Sequence, residues 1–440
     1  MQTETKNKRM QKTTLVEKKY LIPFILITTL FALWGFANDI TNPLVAAFQT
    51  LMEISAAKAA LVQFAFYGGY ATMAIPAALF IRKYSYKKAI LLGLALYAIG
   101  AFLFIPAAAY QQFSYFCISL YILTFGLAFL ETTANPLILS LGSKETATRR
   151  LNLAQAFNPI GSLCGMAVAS QFVLPQLISD KRNEAGELVF FSLSETTKDY
   201  IRLHDLAIIR NPYVIIGLVV VCVFILIAIT KIDNSAQTLS EKEGTRSHRG
   251  SLARLWKNRS YREGVFTQMF YVAAQIMVWT FIIHYADALG IDKATAQKFN
   301  IAAMIFFLFG RFISTMLMKY INGRKLLVTF ACGAIICTLG TIFIIGHAGL
   351  YCLVGISLFM SLMFPTIYGI ALENVESEDM TFGAAFLVMA IVGGALMPPL
   401  QGMIIDNGSI MGMPAVNVSF ALPLLCFIIV GIYGWREQRR

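Results

Sequence analysis

Twelve membrane-crossing α-helices, in two similar halves of six, are the all-α integral membrane fold this 440-residue sequence predicts. Three observations predict it. Apolar residues make up 57% of the chain and charged residues only 14%, against about 45–50% and about 25% in a soluble domain. The apolar residues gather into twelve runs of the length a spanning helix needs, about 20 residues. A single polar stretch then divides the runs six and six. A water-soluble protein with a mean hydropathy of +0.66 would expose more apolar surface than stays dispersed.

The runs are Leu21–Phe48, Ala59–Ile81, Ala89–Ala107, Phe113–Gly142, Leu151–Leu174, Pro212–Thr230, Gly264–His284, Ala296–Leu317, Leu326–Ile345, Leu350–Leu372, Thr381–Ile405 and Val416–Trp435. They are continuously apolar, without the alternation of barrel strands, and a helix satisfies its backbone within its own segment. Several are long, which predicts tilt or kinks. The first follows a basic tail but lacks a small-residue cleavage site, so it reads as a retained span rather than a signal peptide.

Most of the 36 Lys and Arg residues fall in the first tail, at Arg82–Lys88, at Lys144–Arg150, through Lys231–Arg262, at Lys319–Lys325 and at Arg436–Arg440. These segments are the termini and alternate loops, the positive-inside pattern. It places both termini in the cytoplasm. It also explains the net charge of +12 without a nucleic-acid partner. The expected organisation is a tail over 1–20, a bundle over 21–230, a central loop over 231–262, a second bundle over 263–435 and a tail over 436–440. The acidic loop Glu373–Asp379 departs from the pattern, which counts only Lys and Arg. The longest external loop, Pro175–Arg210, is expected to hold a surface amphipathic helix, and a lid is one role open to it.

The halves show a weak internal repeat. "FIRKYSYKKAILLGLAL" and "LMKYINGRKLLVTFACG" each follow the second run of their half, with Lys83-Tyr84 matching Lys319-Tyr320. Paired halves with a site between them at mid-membrane are the plan of many secondary transporters. Cys117, Cys164, Cys222, Cys332, Cys337, Cys352 and Cys426 lie inside apolar runs without CxxC spacing and read as packing residues. No phosphate-binding loop, HExxH or GxSxG is present. Neither an ATP-driven pump nor an enzyme is expected, and no cofactor or metal.

Polar residues inside the runs carry the functional argument, because an ionisable group at bilayer depth normally faces a cavity or a partner. Three stand out: Asp39 in "LWGFANDITNPLV", Glu131 in "GLAFLETTANPLI" and Arg311 in "FFLFGRFISTM". Taking a carboxylate out of water favours its neutral form, so such a group can load and release a proton. A structural ion pair is the alternative. Asn38 and Asn42 flank Asp39, Asn135 follows Glu131 by one turn, and Gln155 and Asn158 lie three apart in the fifth run. Amides with little net charge suit a neutral polyhydroxylated solute, with interhelical hydrogen bonding as the alternative. In the seventh run Tyr271, Gln275 and Trp279 offer aromatic faces and an amide to a sugar ring, or simply core. Breaks in or near the tenth and eleventh runs are marked by Pro365, Tyr368, Asn374, Pro398, Pro399 and Gln401.

At these residues the chain resembles the fucose–proton symporter family of the major facilitator superfamily. The resemblance covers almost the whole chain and is carried by "FYGGYATMAIPAALFIRKYSYKKAILLGLALYAIGAFLFIPAA", "LETTANPLI", "RRLNLAQAFNPIGS", "FYVAAQIMVW" and "FLFGRF". It implies alternating access between two six-helix bundles, with Glu131 as the proton-coupling residue and Gln155 and Asn158 as sugar contacts. Related hexose carriers often have Gln at the Glu131 position, which places this chain nearer the fucose branch. One position departs: where the family has an Asp in its first helix, this chain has Asn42, and the carboxylate stands one turn earlier at Asp39.

The expectation is a proton-coupled importer of a neutral monosaccharide in a bacterial inner membrane, L-fucose first, with glucose, galactose or an N-acetylhexosamine behind it. A sugar sensor and a drug exporter remain as other classes. Glu131 and Asp39 are expected to couple protons. Asn38, Asn42, Asn135, Gln155, Asn158, Tyr271, Gln275 and Trp279 are expected to hold the sugar. Arg311, Lys83 and Arg324 are expected to gate or brace the halves. The partners are sugar, protons and the lipid bilayer, and the working unit is a monomer.

Overall fold

The computed structural model describes residues 15–41, 44–54, 58, 61–181, 183, 188–230, 248–291, 293–410 and 412–440. Within them twelve helices are long and apolar enough to cross a membrane. They are Lys18–Thr41, Phe64–Lys83, Tyr86–Tyr110, Phe113–Ser140, Lys144–Gln176, Glu195–Ile229, Arg259–Ala288, Thr295–Leu317, Gly323–Phe343, His347–Glu373, Ser377–Ile405 and Ala415–Arg439. Each coincides with one run of the sequence. Local chemistry sets their starts: Ser85, Asn258 and Asn322 cap the third, seventh and ninth spans by accepting from the amides of Lys88, Tyr261 and Arg324.

The six-plus-six repeat is visible in the packing. The first span packs on the fifth as the seventh does on the eleventh, and the second on the fourth as the eighth on the tenth. The third touches the fourth and sixth as the ninth touches the tenth and twelfth. Even the matched Lys-Tyr pairs behave alike, Lys83 over Tyr84 and Lys319 over Tyr320, each 5.4 Å from the ring centre. Two close approaches need glycine. A Cβ at Gly161 would lie 1.8 Å from the Ala32 carbonyl of the first span, and one at Gly126 would lie 2.4 Å from the Gly93 carbonyl of the third. These contacts draw the first, third, fourth and fifth spans together around the polar residues.

Several spans are broken where the polar residues sit. The fifth divides into Ala147–Gln155 and Asn158–Val168, with Pro159 at the start of the second piece. The tenth divides into His347–Met360 and Met363–Glu373. A proline removes the amide that a helix would return to the carbonyl four residues earlier. Pro159 therefore frees the Gln155 carbonyl.

The loop Pro175–Arg210 holds a helix, as its sequence suggests, but not a separate one. Its helix is continuous with the sixth span, which runs unbroken for 35 residues from Glu195 to Ile229. At 1.5 Å per residue that is about 52 Å, well beyond a hydrocarbon core of about 30 Å, so its first third stands clear of the membrane. It is anchored there. Asp205, fully buried, accepts from the amides of Ile178 and Ser179. Lys198 and Arg202 pair with Glu53 at 2.7 and 2.5 Å, and Arg202 also donates to the Leu51 carbonyl. Glu53 has φ 49°, a left-handed conformation costly for a residue with a Cβ, so the ion pairs hold the loop in a strained form. The Lys198 ammonium, helped by Arg202, keeps the Glu53 carboxyl below its ordinary value. The anchoring is present above the ordinary glutamate value and is lost as pH falls through the lowered one. Glu53→Gln is expected to lower the melting temperature of the purified protein by about 2–4 °C at neutral pH and to leave no such difference in acid.

Candidate functional site

The polar residues of the fourth, fifth and eighth spans join into one chain across the two halves. Glu131 is 9% exposed. Asn135, one turn later, faces it. The Asn135 Oδ1 accepts from Gln155 Nε2 at 2.9 Å. Gln155 in turn accepts from Arg311 Nη1, through its side-chain Oε1 at 3.3 Å and its proline-freed carbonyl at 3.4 Å. Arg311 is itself buried, and its guanidinium lies 4.8 Å over the Phe307 ring. A buried carboxyl group in one half thus stands against the first of two hydrogen-bonded amides that lead to a cation in the other, although no ion pair joins them among the described residues.

The other expected residues fall as follows. Asp39 is buried on the first span beside Tyr67 of the second. Asn42 lies outside the described residues. Asn38 is half-buried and makes no hydrogen bond among the described residues. Asn158 donates to the Phe31 carbonyl of the first span at 3.1 Å, which leaves its oxygen for a ligand. In the seventh span Gln275 is half-buried. Trp279 donates to Ser357 Oγ at 3.2 Å and meets Phe307 edge-on at 5.1 Å. Tyr271 is fully buried and spends its hydroxyl on the Met360 carbonyl, at the break in the tenth span. In this state it shows no surface to a solute.

Three tyrosines and two phenylalanines escaped the sequence reading of the site. Tyr67 and Tyr70, three apart on the second span, stand beside Asp39 and Glu131 respectively. They bring both carboxyl groups onto one face of that helix. Tyr368 of the tenth span lies against Asn135, and Phe364 stacks on Tyr368 at 6.3 Å. Phe307 links Trp279 to Arg311. The signal available for Tyr67 and Tyr70 was the spacing in "FYGGY", and Tyr368 was read only as marking a break in the tenth run; for the phenylalanines there was none beyond ordinary core.

The halves meet closely on the side that carries both chain termini. Tyr86 bonds Thr381 at 3.0 Å, Asn152 bonds Thr366 at 3.2 Å, and Arg149 donates to the Thr315 carbonyl at 3.2 Å. The short helix His248–Lys257 of the central loop joins in. Its Ser251 accepts from Arg82 at 3.1 Å, and its Arg254 forms a two-pronged bond to Asp379, both contacts at 2.7 Å. The acidic loop that broke the charge pattern is therefore the partner of the basic ones. Of the expected gating residues, Lys83 is exposed and rests on its neighbour Tyr84, while Arg324 pairs with Glu373 of its own half at 2.7 Å. Arg82 and Arg254 make the contacts at this closure instead. One residue of rotation, about 100° on a helix, turns Lys83 outward where Arg82 turns in over Phe382.

Two symmetric six-helix bundles with a polar chain between them define a secondary transporter fold. Residues 25–398 match the family model of the Major Facilitator Superfamily. The chain belongs to that superfamily and, within it, to the fucose–proton symporter family. It is 63% identical to the L-fucose-proton symporter of Haemophilus influenzae over 96% of this chain and 98% of that one. It is 29% identical to a glucose/galactose transporter of Brucella abortus over 97% of each chain. Its structure superposes on the crystal structure of FucP in the outward conformation with a TM-score of 0.85 and 33% identity, covering 96% of this chain and 99% of that one.

Proposed function

We propose that this protein imports L-fucose together with a proton, by alternating access. The observation that carries the reading is a buried protonatable group, Glu131, set against the hydrogen-bonded chain Asn135–Gln155–Arg311 that spans both halves. Likeness to an L-fucose-proton symporter at 63% identity, against 29% for the glucose/galactose transporter, favours fucose over those hexoses. The protein works as a monomer in the bacterial inner membrane with its termini in the cytoplasm. The contacts on the terminus side then form the cytoplasmic closure of an outward-facing carrier. Sugar enters from outside and meets Asn38, Asn42, Asn135, Gln155 and Asn158 on the first half, with Gln275 and Trp279 on the second. Tyr271 joins them when the tenth span moves. Arg311 braces the halves through Gln155. Lys83 and Arg324 act only as supports of the closure around them.

The test is a panel of sugars presented to proteoliposomes with and without an inward proton gradient. L-Fucose accumulated only with the gradient supports the reading; accumulation of glucose or galactose instead moves it to that class, and no accumulation of any sugar ends it. Asp39 takes over the role of the carboxylate missing at Asn42. Asp39→Asn is then expected to cut gradient-driven uptake at least about tenfold, and unchanged proton-to-sugar coupling would assign the proton to Glu131 alone.

A further inference from the structure

Two polar groups on opposite halves face each other without bonding. Asn135 of the fourth span and Tyr368 of the tenth are both fully buried, and their side chains meet at the interface. The Nδ2 of Asn135 and the hydroxyl of Tyr368 each lack a hydrogen-bond partner. Native proteins rarely leave such atoms unpaired, and each instance asks for a reason. The Asn135 oxygen is committed to Gln155, so Nδ2 is the free end of the amide. It has two acceptors within reach: the Glu131 carboxyl in its own half and the Tyr368 oxygen in the other. The remaining titratable groups around this cluster are Tyr70 on the second span, beside Glu131, and Tyr86 and Tyr261, beside Tyr368. Arg311 on the eighth span reaches it only through Gln155.

We propose that Tyr368 is a positioning residue that prevents protons from slipping through without sugar: when Glu131 is protonated and no sugar is bound, the Asn135 amide turns to the Tyr368 hydroxyl and bolts the two halves together. This rests on the symport reading above. Ionised Glu131 attracts the amide N–H, since a charged acceptor bonds about twice as strongly as a neutral one. The empty, deprotonated carrier therefore has no bolt and is free to reorient. Protonation removes that charge, and the N–H passes to the Tyr368 oxygen. A sugar docking at Asn135 takes the same N–H, releases Tyr368 and lets the loaded carrier cross. Only hydrogen bonds change hands, and only the proton-loaded, sugar-free form is held shut.

The experiment is Tyr368→Phe in the full-length protein, reconstituted in proteoliposomes that contain a pH-sensitive dye. The ring and its stack on Phe364 remain, and the lost hydroxyl has no partner in this state. Sugar-independent proton entry is expected to rise about five- to tenfold, the population change made by one ordinary hydrogen bond. Sugar exchange without a gradient is expected to persist, which also reports that the variant is folded. Tyr368→Met, which lacks the hydroxyl and the ring, must leak at least as much. Adding Glu131→Gln to Tyr368→Phe must abolish the leak, because no proton is then carried. A leak at the wild-type level overturns the proposal. So does loss of exchange along with the hydroxyl, which would make Tyr368 a sugar contact. Failure of the symport reading looks different: the wild-type protein itself would accumulate no sugar under a proton gradient.

Discussion

Glu131→Gln is expected to abolish proton-driven accumulation of sugar while leaving exchange across the membrane intact. With one proton per sugar, a gradient of one pH unit sustains about a tenfold sugar gradient, since one unit is worth about 1.4 kcal/mol. In the variant that ratio falls to one. The reason lies in what Gln keeps. It fills the same volume in the fourth span and still offers a hydrogen-bonding group to Asn135, so the link from Asn135 through Gln155 to Arg311 survives. It lacks only the proton to load and release. Measuring counterflow and gradient-driven uptake in the same vesicles separates the two properties. Full accumulation by the variant would move the coupling site elsewhere, with Asp39 the next candidate.

The fold was legible because lipid imposes a coarse rule. A segment that must bury its own backbone in hydrocarbon is a long apolar helix, and all twelve could be read as runs. Glu131, Asn135, Gln155 and Arg311 were legible for the complementary reason: each is a polar group where polarity is expensive. Their partners were not. That Gln155 donates to Asn135 and accepts from Arg311 depends on how three helices are placed in space, which periodicity does not report. Tyr67, Tyr70 and Tyr368 were hidden as site residues because a tyrosine in an apolar run looks like core until its polar neighbours are seen: Asp39 beside Tyr67, Glu131 beside Tyr70 and Asn135 beside Tyr368. Rotation about a helix axis also lies beyond composition, and it is what exchanged the expected Lys83 for Arg82. Basic and acidic loops could be counted as signals of sidedness. That Arg254 and Asp379 complete each other across 125 residues shows the same charges serving as closure.

Arg150 is the sharpest case of a residue whose position in the chain misleads, and its replacement is expected to have the largest effect on stability. It reads as one more basic residue in a loop on the terminus side. In the structure it is fully buried. Its Nε donates to the Ile138 carbonyl at 2.7 Å, its Nη2 to Leu139 at 2.6 Å, and its Nη1 to the Leu15 carbonyl at 3.1 Å and to Thr146 Oγ1 at 3.0 Å. The carbonyls at the end of a helix have no partner within it, and they carry the negative end of its dipole. Arg150 caps the fourth span through these carbonyls, with the Glu17 carboxylate near enough to favour its charge. It also binds the end of the helix that carries Asn135 to the start of the helix that carries Gln155. Arg150→Met leaves at least two carbonyls stranded, at about 1–3 kcal/mol each. The expected result is a large loss of folded protein on size-exclusion chromatography and a melting temperature lowered by about 10 °C or more. Arg150→Lys should recover little, because an ammonium is a compact donor where the site requires a planar fork. If Arg150→Lys melts like the wild type, charge alone holds this end of the fourth span, and the geometry of the fork is not needed to align Asn135 with Gln155.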